Sequence, residues 1–253
     1  MTYTKYADLN DAVVLITGGA SGIGRDIADA FAAQSARIGI LDIDEVNGQV
    51  TEAALTAAGC TAKFVACDLR NISALEAAVA TLEQDLGAAT VLVNNAARDD
   101  RHGWEDVTEA YYDERIATNL RHMFFATKAV APGMIAAGGG SIINMGSNSW
   151  WEAAGGFPVY TTAKAAIHGM TRSFARDLGK HHIRVNTVVP GWIMTDRQKE
   201  RWVTPESLAR HLERQCLPTP IDPHYVARMV LFLASGDAAM CTAQNYMVDA
   251  GSI

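Results

Sequence analysis

Two hydrophobic patterns alternate along the chain. Short, mainly apolar runs at 12–16, 37–41, 62–67, 90–94 and 185–189 are separated by stretches in which apolar residues recur every three or four positions. Runs of that length bounded by turn residues read as buried strands, and the periodic stretches read as helices. The clearest helices fall at 71–86, 111–137 and 159–180. In the last, Ala163, Ala165, Ala166, Ile167, Met170, Phe174 and Leu178 make an apolar stripe that begins after Pro158 and stops at Gly179. Strands alternating with helices predict an α/β fold, a doubly wound parallel sheet with helices on both faces, whose ligands gather at the carboxyl ends of the strands. No proline-rich or serine-rich stretch, charge block or repeat breaks the alternation. The expectation is therefore one domain over 1–253, with a nucleotide half at about 1–100 and a catalytic half at about 101–253.

Composition narrows the partners. A formal net charge of −7 argues against nucleic acid and anionic membrane. The N-terminal segment carries acids and no apolar run, so it does not read as a signal peptide, and no stretch approaches the ~20 apolar residues of a membrane span. Cys60, Cys67, Cys216 and Cys241 form no CxxC, and the histidines form no HExxH. Reduced thiols, no metal and a cytoplasmic setting are expected.

Candidate chemistry sits where the first strand ends. Thr17-Gly18-Gly19-Ala20-Ser21-Gly22-Ile23-Gly24 joins that strand to a helical stretch, an arrangement that lets backbone approach a pyrophosphate at a helix N-terminus. A turn with no ligand is the plain alternative. Asp42 ends the second strand, where an acid can take ribose hydroxyls and repel a 2′-phosphate, which favours NAD over NADP. Asp42 could instead cap the next helix, although Asp44 is equally placed for that. Asp68-Leu69, at the adenine edge, and Asn95-Ala96, at the cofactor ribose, follow two further strands. Tyr160 and Lys164 lie four apart, so both fall on one helix face, and an ammonium there would lower the phenol's pKa toward that of a useful base. An amphipathic helix with an exposed lysine would give the same spacing.

Thr17-Gly18-x-x-x-Gly22-x-Gly24, Asn94-Asn95-Ala96, Asn119, Ser147, Tyr160-x-x-x-Lys164 and Pro190-Gly191 together resemble the motif set of the short-chain dehydrogenase/reductase family, in order and over the whole chain. The resemblance implies a seven-stranded parallel sheet, a nicotinamide cofactor and a homotetramer built on the 111–137 and 159–180 helices. It implies that Tyr160 is the acid/base, that Lys164 holds the nicotinamide ribose, that Ser147 bonds the reacting oxygen and that Asn119 holds a relay water. Pro190, Gly191, Ile193 and Thr195 would hold the nicotinamide end. Asn119 could instead be a polar helix residue bonded to backbone, and Ser149 could replace Ser147. One departure is Ala97, where the family usually has glycine.

Trp150-Trp151 on a short polar loop, Trp192 behind Pro190, and the run Arg98-Asp99-Asp100-Arg101-His102 surround this tetrad. Flat rings suit the C–H faces of sugars and polar side chains suit their hydroxyls. Asp99, His102, Asn148, Trp151, Glu152 and Trp192, with Ser147 and Tyr160, are the expected substrate contacts. These segments, with Asp113-Glu114-Arg115-Ile116, Gln215-Cys216-Leu217 and Val248-Asp249-Ala250-Gly251, resemble bacterial NAD-dependent aldose 1-dehydrogenases of the D-xylose, D-galactose and L-arabinose type. That resemblance implies oxidation of a cyclic sugar at C1. Two alternatives stand beside it. Arg197, Lys199 and Arg201, in a lid expected at about 192–216, could bind a sugar-acid carboxylate, and the chain could be an NAD-sensing regulator without turnover.

Overall fold

The computed structural model describes residues 2–253. Seven parallel strands form one sheet in the order β3-β2-β1-β4-β5-β6-β7, where β1 is Val13–Thr17, β2 Arg37–Asp42, β3 Ala62–Ala66, β4 Val91–Asn94, β5 Gly140–Met145, β6 Ile183–Pro190 and β7 Asn245–Val248. The order reverses between β1 and β4, and the crevice opened there at the carboxyl ends is where ligands bind in such sheets.

Burial on both faces explains why the strands are apolar runs. Along β1, Val14 and Ile16 point to one core, with Ile27 and Phe31 of α1 (Gly22–Ala32) and Val226 and Val230 of α9 (Pro223–Ala234). Val13 and Leu15 point to the other. There they meet Leu75 and Leu82 of α3 (Ile72–Leu86), Met134 of α5 (His122–Ala136) and Ala175 of α6 (Pro158–Leu178). Each fully buried Leu, Ile or Phe contributes roughly 1.5–3 kcal/mol.

The remaining helices are α2 (Glu45–Ala57), α4 (Glu109–Ile116), α7 (Asp196–Arg201) and α8 (Pro205–Arg214). The 111–137 stretch is not one helix: α4 and α5 are separated by a π-helical turn, Ala117–Arg121, that contains Asn119. Such turns widen the helix by one residue, which a 3.6-residue apolar period does not reveal.

Polar side chains cross the core under the catalytic half. Asn94 Nδ2 donates to Asn144 Oδ1 (2.8 Å), Asn144 Nδ2 donates to Thr171 Oγ1 (3.0 Å), and the Thr171 and Thr187 hydroxyls pair at 2.8 Å. This buried ladder joins β4, β5, α6 and β6.

Candidate active site

The glycine turn is tied to the neighbouring strand before any ligand is considered. Thr17 Oγ1 accepts from the backbone N–H of Asn95 (3.0 Å) and Ala96 (3.2 Å), while Asn95 Nδ2 donates to the carbonyls of Thr17 and Gly18. Gly18 has φ +67, and a Cβ on it would stand 2.8 Å from the Ala96 Cα. A Cβ on Gly24 would stand 1.9 Å from the Gly18 carbonyl oxygen. Only glycine fits either place. Ser21, the N-cap of α1, spends no side-chain bond on the helix, so the first-turn N–H groups face the crevice beside Gly22 and Ile23. This cradle fits a pyrophosphate.

The strand ends complete the nucleotide side. Asp44, not Asp42, caps α2, accepting from Asn47 N. Asp42 is left to brace the turn: its carboxylate accepts from Ala20 N (3.0 Å) and Asp44 N (3.1 Å) while lining the crevice, and no cation pairs with it among the described residues. Asp68 lines the crevice with Leu69 but is bound by Arg70, whose guanidinium also reaches Glu114.

One cleft of about 1180 Å³ runs from this cradle to the ends of β5 and β6. Ser147, Tyr160 and Lys164 line its middle, and Pro190, Gly191, Ile193 and Thr195 its wall. Tyr160 and Lys164 share a helix face as expected, but Lys164 is 1% exposed rather than solvated, its ammonium 5.6 Å from the Tyr160 ring centre. Lys164 Nζ donates to the Met145 carbonyl at 2.7 Å. Ser147 lies beside the phenol and acts to lower its pKa, whereas Ser149 Oγ is buried without a partner. Asn119 stands behind this wall, fully buried, with Oδ1 accepting from Arg98 N (2.8 Å) and Nδ2 donating to the Arg115 carbonyl (3.0 Å).

The pair's electrostatics differ from the expectation. Burial, with help from Asp99, pushes Tyr160 up to about 12, against the lowering by Ser147 and Arg101. Burial likewise pushes Lys164 down to about 7. The protein alone therefore does not give a depressed phenol, because desolvation costs both members their charged forms.

Toward the outer end, Asn148 Nδ2 donates to Glu152 Oε1 (2.8 Å) and to Ser252 Oγ (3.0 Å), with Arg214 3.6 Å from Glu152. Trp192 Nε1 donates to Gln198, and Gln198 Nε2 donates to Asp99 (2.7 Å). Asp99, Asn148, Glu152 and Trp192 thus line the cleft. Two expected contacts do not. Trp151 stacks on Trp150 at 3.6 Å with both rings against His168, and His102 is turned to Tyr111 and the start of α6. Stacking resolves how two adjacent indoles share one polar loop.

Arg197, Lys199 and Arg201 are already partnered, whereas Arg210 lines the cleft with no ion pair among the described residues. Asp100 pairs with Arg197 (2.7 Å), Arg115 (2.9 Å) and Arg98 (3.1 Å), with Arg201 at 3.8 Å, and Lys199 lies 3.7 Å from Asp196. Reasoning from sequence missed the Asp100 hub and Arg101, which lies flat on Phe157, 3.8 Å from the ring centre. It also missed the face of α8 formed by Ser207, Arg210, His211 and Arg214, whose i, i+3, i+4, i+7 spacing was a usable signal.

A doubly wound sheet with a glycine cradle at its switch point and a Ser-Tyr-Lys set lining the same cleft defines an oxidoreductase with a nicotinamide cofactor. The chain belongs to the short-chain dehydrogenase/reductase family: residues 18–252 match the family model described as enoyl-(acyl carrier protein) reductase. It is 49% identical to a D-xylose 1-dehydrogenase of Caulobacter vibrioides over 99% of each chain. It is 45% identical to a probable galactose dehydrogenase of Rhizobium meliloti, covering 98% of this chain and 97% of that one. A 7α-hydroxysteroid dehydrogenase solved with NADH and 7-oxo glycochenodeoxycholic acid superposes with a TM-score of 0.92 at 30% identity, covering 97% of this chain and 95% of the other.

Proposed function

We propose that the protein oxidises a cyclic aldose at C1 to the aldonolactone, with NAD as acceptor. The observation that carries this reading is the Ser147–Tyr160 pair set in a cleft whose outer wall is polar, from Asp99 and Asn148 to Glu152. The similarity to two sugar dehydrogenases supports it. Tyr160 takes the anomeric hydroxyl proton, and Ser147 donates to the oxygen as it becomes a carbonyl. Lys164 holds the nicotinamide ribose, its ammonium oriented by the bond it donates to the Met145 carbonyl. Asn119 spends both ends of its amide on backbone, so any relay water is held by its main-chain carbonyl in the π-turn. The Gly18–Gly24 turn holds the pyrophosphate, Asp42 the adenosine ribose, Asp68 and Leu69 the adenine edge, and Asn95 and Ala96 the inner ribose. When bound, NAD supplies the hydride acceptor and a cationic ring.

The pairing of Arg197, Lys199 and Arg201 with carboxylates weighs against the sugar-acid reading that rested on them. An unused Ser-Tyr-Lys set with a fully buried lysine would be costly in a regulator that only senses NAD. We take 192–216 as the lid over the sugar. The four cysteines are free thiols, which supports a cytoplasmic setting, and no helix is long and apolar enough to cross a membrane among the described residues.

The test is reduced-cofactor formation across pentoses, hexoses, deoxyhexoses and sugar acids, with NAD and NADP in parallel. Neutral aldoses turn over, and kcat/KM with NAD exceeds that with NADP by about 100-fold, roughly 2.7 kcal/mol of repulsion between Asp42 and a 2′-phosphate. Turnover of sugar acids alone would overturn the substrate assignment, and equal use of NADP the role of Asp42.

We also propose a homotetramer. Phe124 and Ile135 on α5 are 46% and 40% exposed and form an apolar groove with Phe174 and Leu178 of α6. Light scattering gives a tetramer mass; a monomer at micromolar concentration contradicts it.

A further inference from the structure

The helix that carries Tyr160 and Lys164 starts without a cap of its own. Phe157 is its N-cap and has no side-chain acceptor, and Pro158 has no N–H, so Val159 holds the first orphan donor. The two glycines leading in stand in open space: a Cβ on Gly155 or Gly156 would meet nothing within 4 Å, and Gly156 has φ +84. The missing acceptor comes from 57 residues away, where Val159 N donates to His102 Nε2 at 3.4 Å. The same residue grips the approach to the helix, since His102 N donates to the Gly156 carbonyl at 2.8 Å.

The ring is fixed from its other side. Nδ1 lies 3.0 Å from the Asp100 carbonyl and 3.0 Å from the Tyr111 hydroxyl, and the Tyr111 ring meets the imidazole edge-on at 5.0 Å. A carbonyl can only accept, so Nδ1 carries the proton and Nε2 offers its lone pair to Val159. Arg115, over the Tyr111 ring at 5.5 Å, and the Asp100 carboxylate that Arg115 binds are the charged groups facing this joint from α4 and the loop. The lid joins the same assembly through Arg197 on Asp100.

We propose that His102 is a positioning residue for Tyr160, capping α6 across the fold so that the β4–α4 loop sets where the phenol stands. This rests on Tyr160 being the base, as proposed above. Val159 is the immediate neighbour of Tyr160, and a shift of about 1 Å in a reacting group can cost on the order of 100-fold in rate. The residue acts through Val159 and touches no reacting atom.

The test compares His102→Ala, His102→Gln and His102→Asn, using the compound the wild type oxidises best. A glutamine Oε1 reaches about where Nε2 stands, whereas an asparagine amide stops near Nδ1. His102→Ala lowers kcat by about 10- to 100-fold with KM and the NAD dissociation constant within about threefold. His102→Gln recovers most of the loss, and His102→Asn does not. An alanine variant within twofold of wild type overturns the proposal, as does rescue by asparagine as good as that by glutamine. Should the alanine variant fail to fold, the glutamine and asparagine pair still decides. A wild type that oxidises no aldose fails the substrate reading, visible in the compound panel; a flat variant series fails the cap alone.

Discussion

Tyr160→Phe leaves NAD binding within about twofold and lowers kcat by a factor on the order of 10³ or more. The substitution removes one oxygen from a residue whose ring still packs against Phe157 at 5.4 Å, so the cleft keeps its shape. What disappears is the oxygen beside Ser147 that takes the substrate proton in the proposed reaction. Cofactor fluorescence titration measures the first quantity and reduced-cofactor formation the second. A residual kcat within tenfold of wild type would sink the mechanism. The pH dependence follows from the same group: burial holds the free protein's phenol up at about 12, so the base form is scarce at neutral pH and oxidation speeds up as pH rises. Retained acidic activity with no rise toward pH 9 would point to a different base.

Lys164→Met abolishes turnover yet raises thermal stability. Lys164 is buried with its ammonium on a single carbonyl, and burial brings it down to about 7 from an ordinary 10.5. Between those values the unfolded chain binds a proton that the folded chain does not, so wild-type stability climbs as pH rises from about 7 to about 10.5. At pH 7 the folded lysine is about half charged, and below pH 7 the folded chain bears the full cost. Methionine fills the same volume without a charge. Without cofactor, Tm of the variant therefore exceeds that of wild type by several degrees at pH 7, since 1 kcal/mol moves Tm by roughly 2–4 °C at about this size. The gap narrows toward pH 10. A Tm below wild type at pH 7 would show that the Met145 bond outweighs desolvation.

Five strands and the nucleotide cradle were legible because they obey local rules: strand runs, glycines where a Cβ cannot fit, an acid at the end of β2; β5 and β7 were not read from the pattern, and the count of seven came from the family resemblance. Asp44 could be weighed against Asp42 from sequence, and the structure settles the cap on Asp44. The outer wall was less legible. His102 and Trp151 were chosen for their chemistry and proximity to strand ends, but the direction of a loop side chain depends on partners far along the chain: Val159 and Tyr111 for one, Trp150 and His168 for the other. Four arginines converging on Asp100 from three segments leave no periodic trace. The raised phenol was missed because residue spacing reports a neighbouring charge and not the burial that the neighbour shares.

The ladder from Asn94 through Asn144 and Thr171 to Thr187 implies a division of labour with practical weight. It stitches α6 to the sheet beneath the Tyr160 helix and uses no residue of the outer loops. Of the outer loops, 98–102 carries the His102 cap of α6, which leaves 192–216 as the exchangeable fitting on a fixed chassis. Transplanting 192–216 from a relative with another substrate, with Arg197 kept on Asp100, should retarget the enzyme while the proton-handling groups keep their alignment.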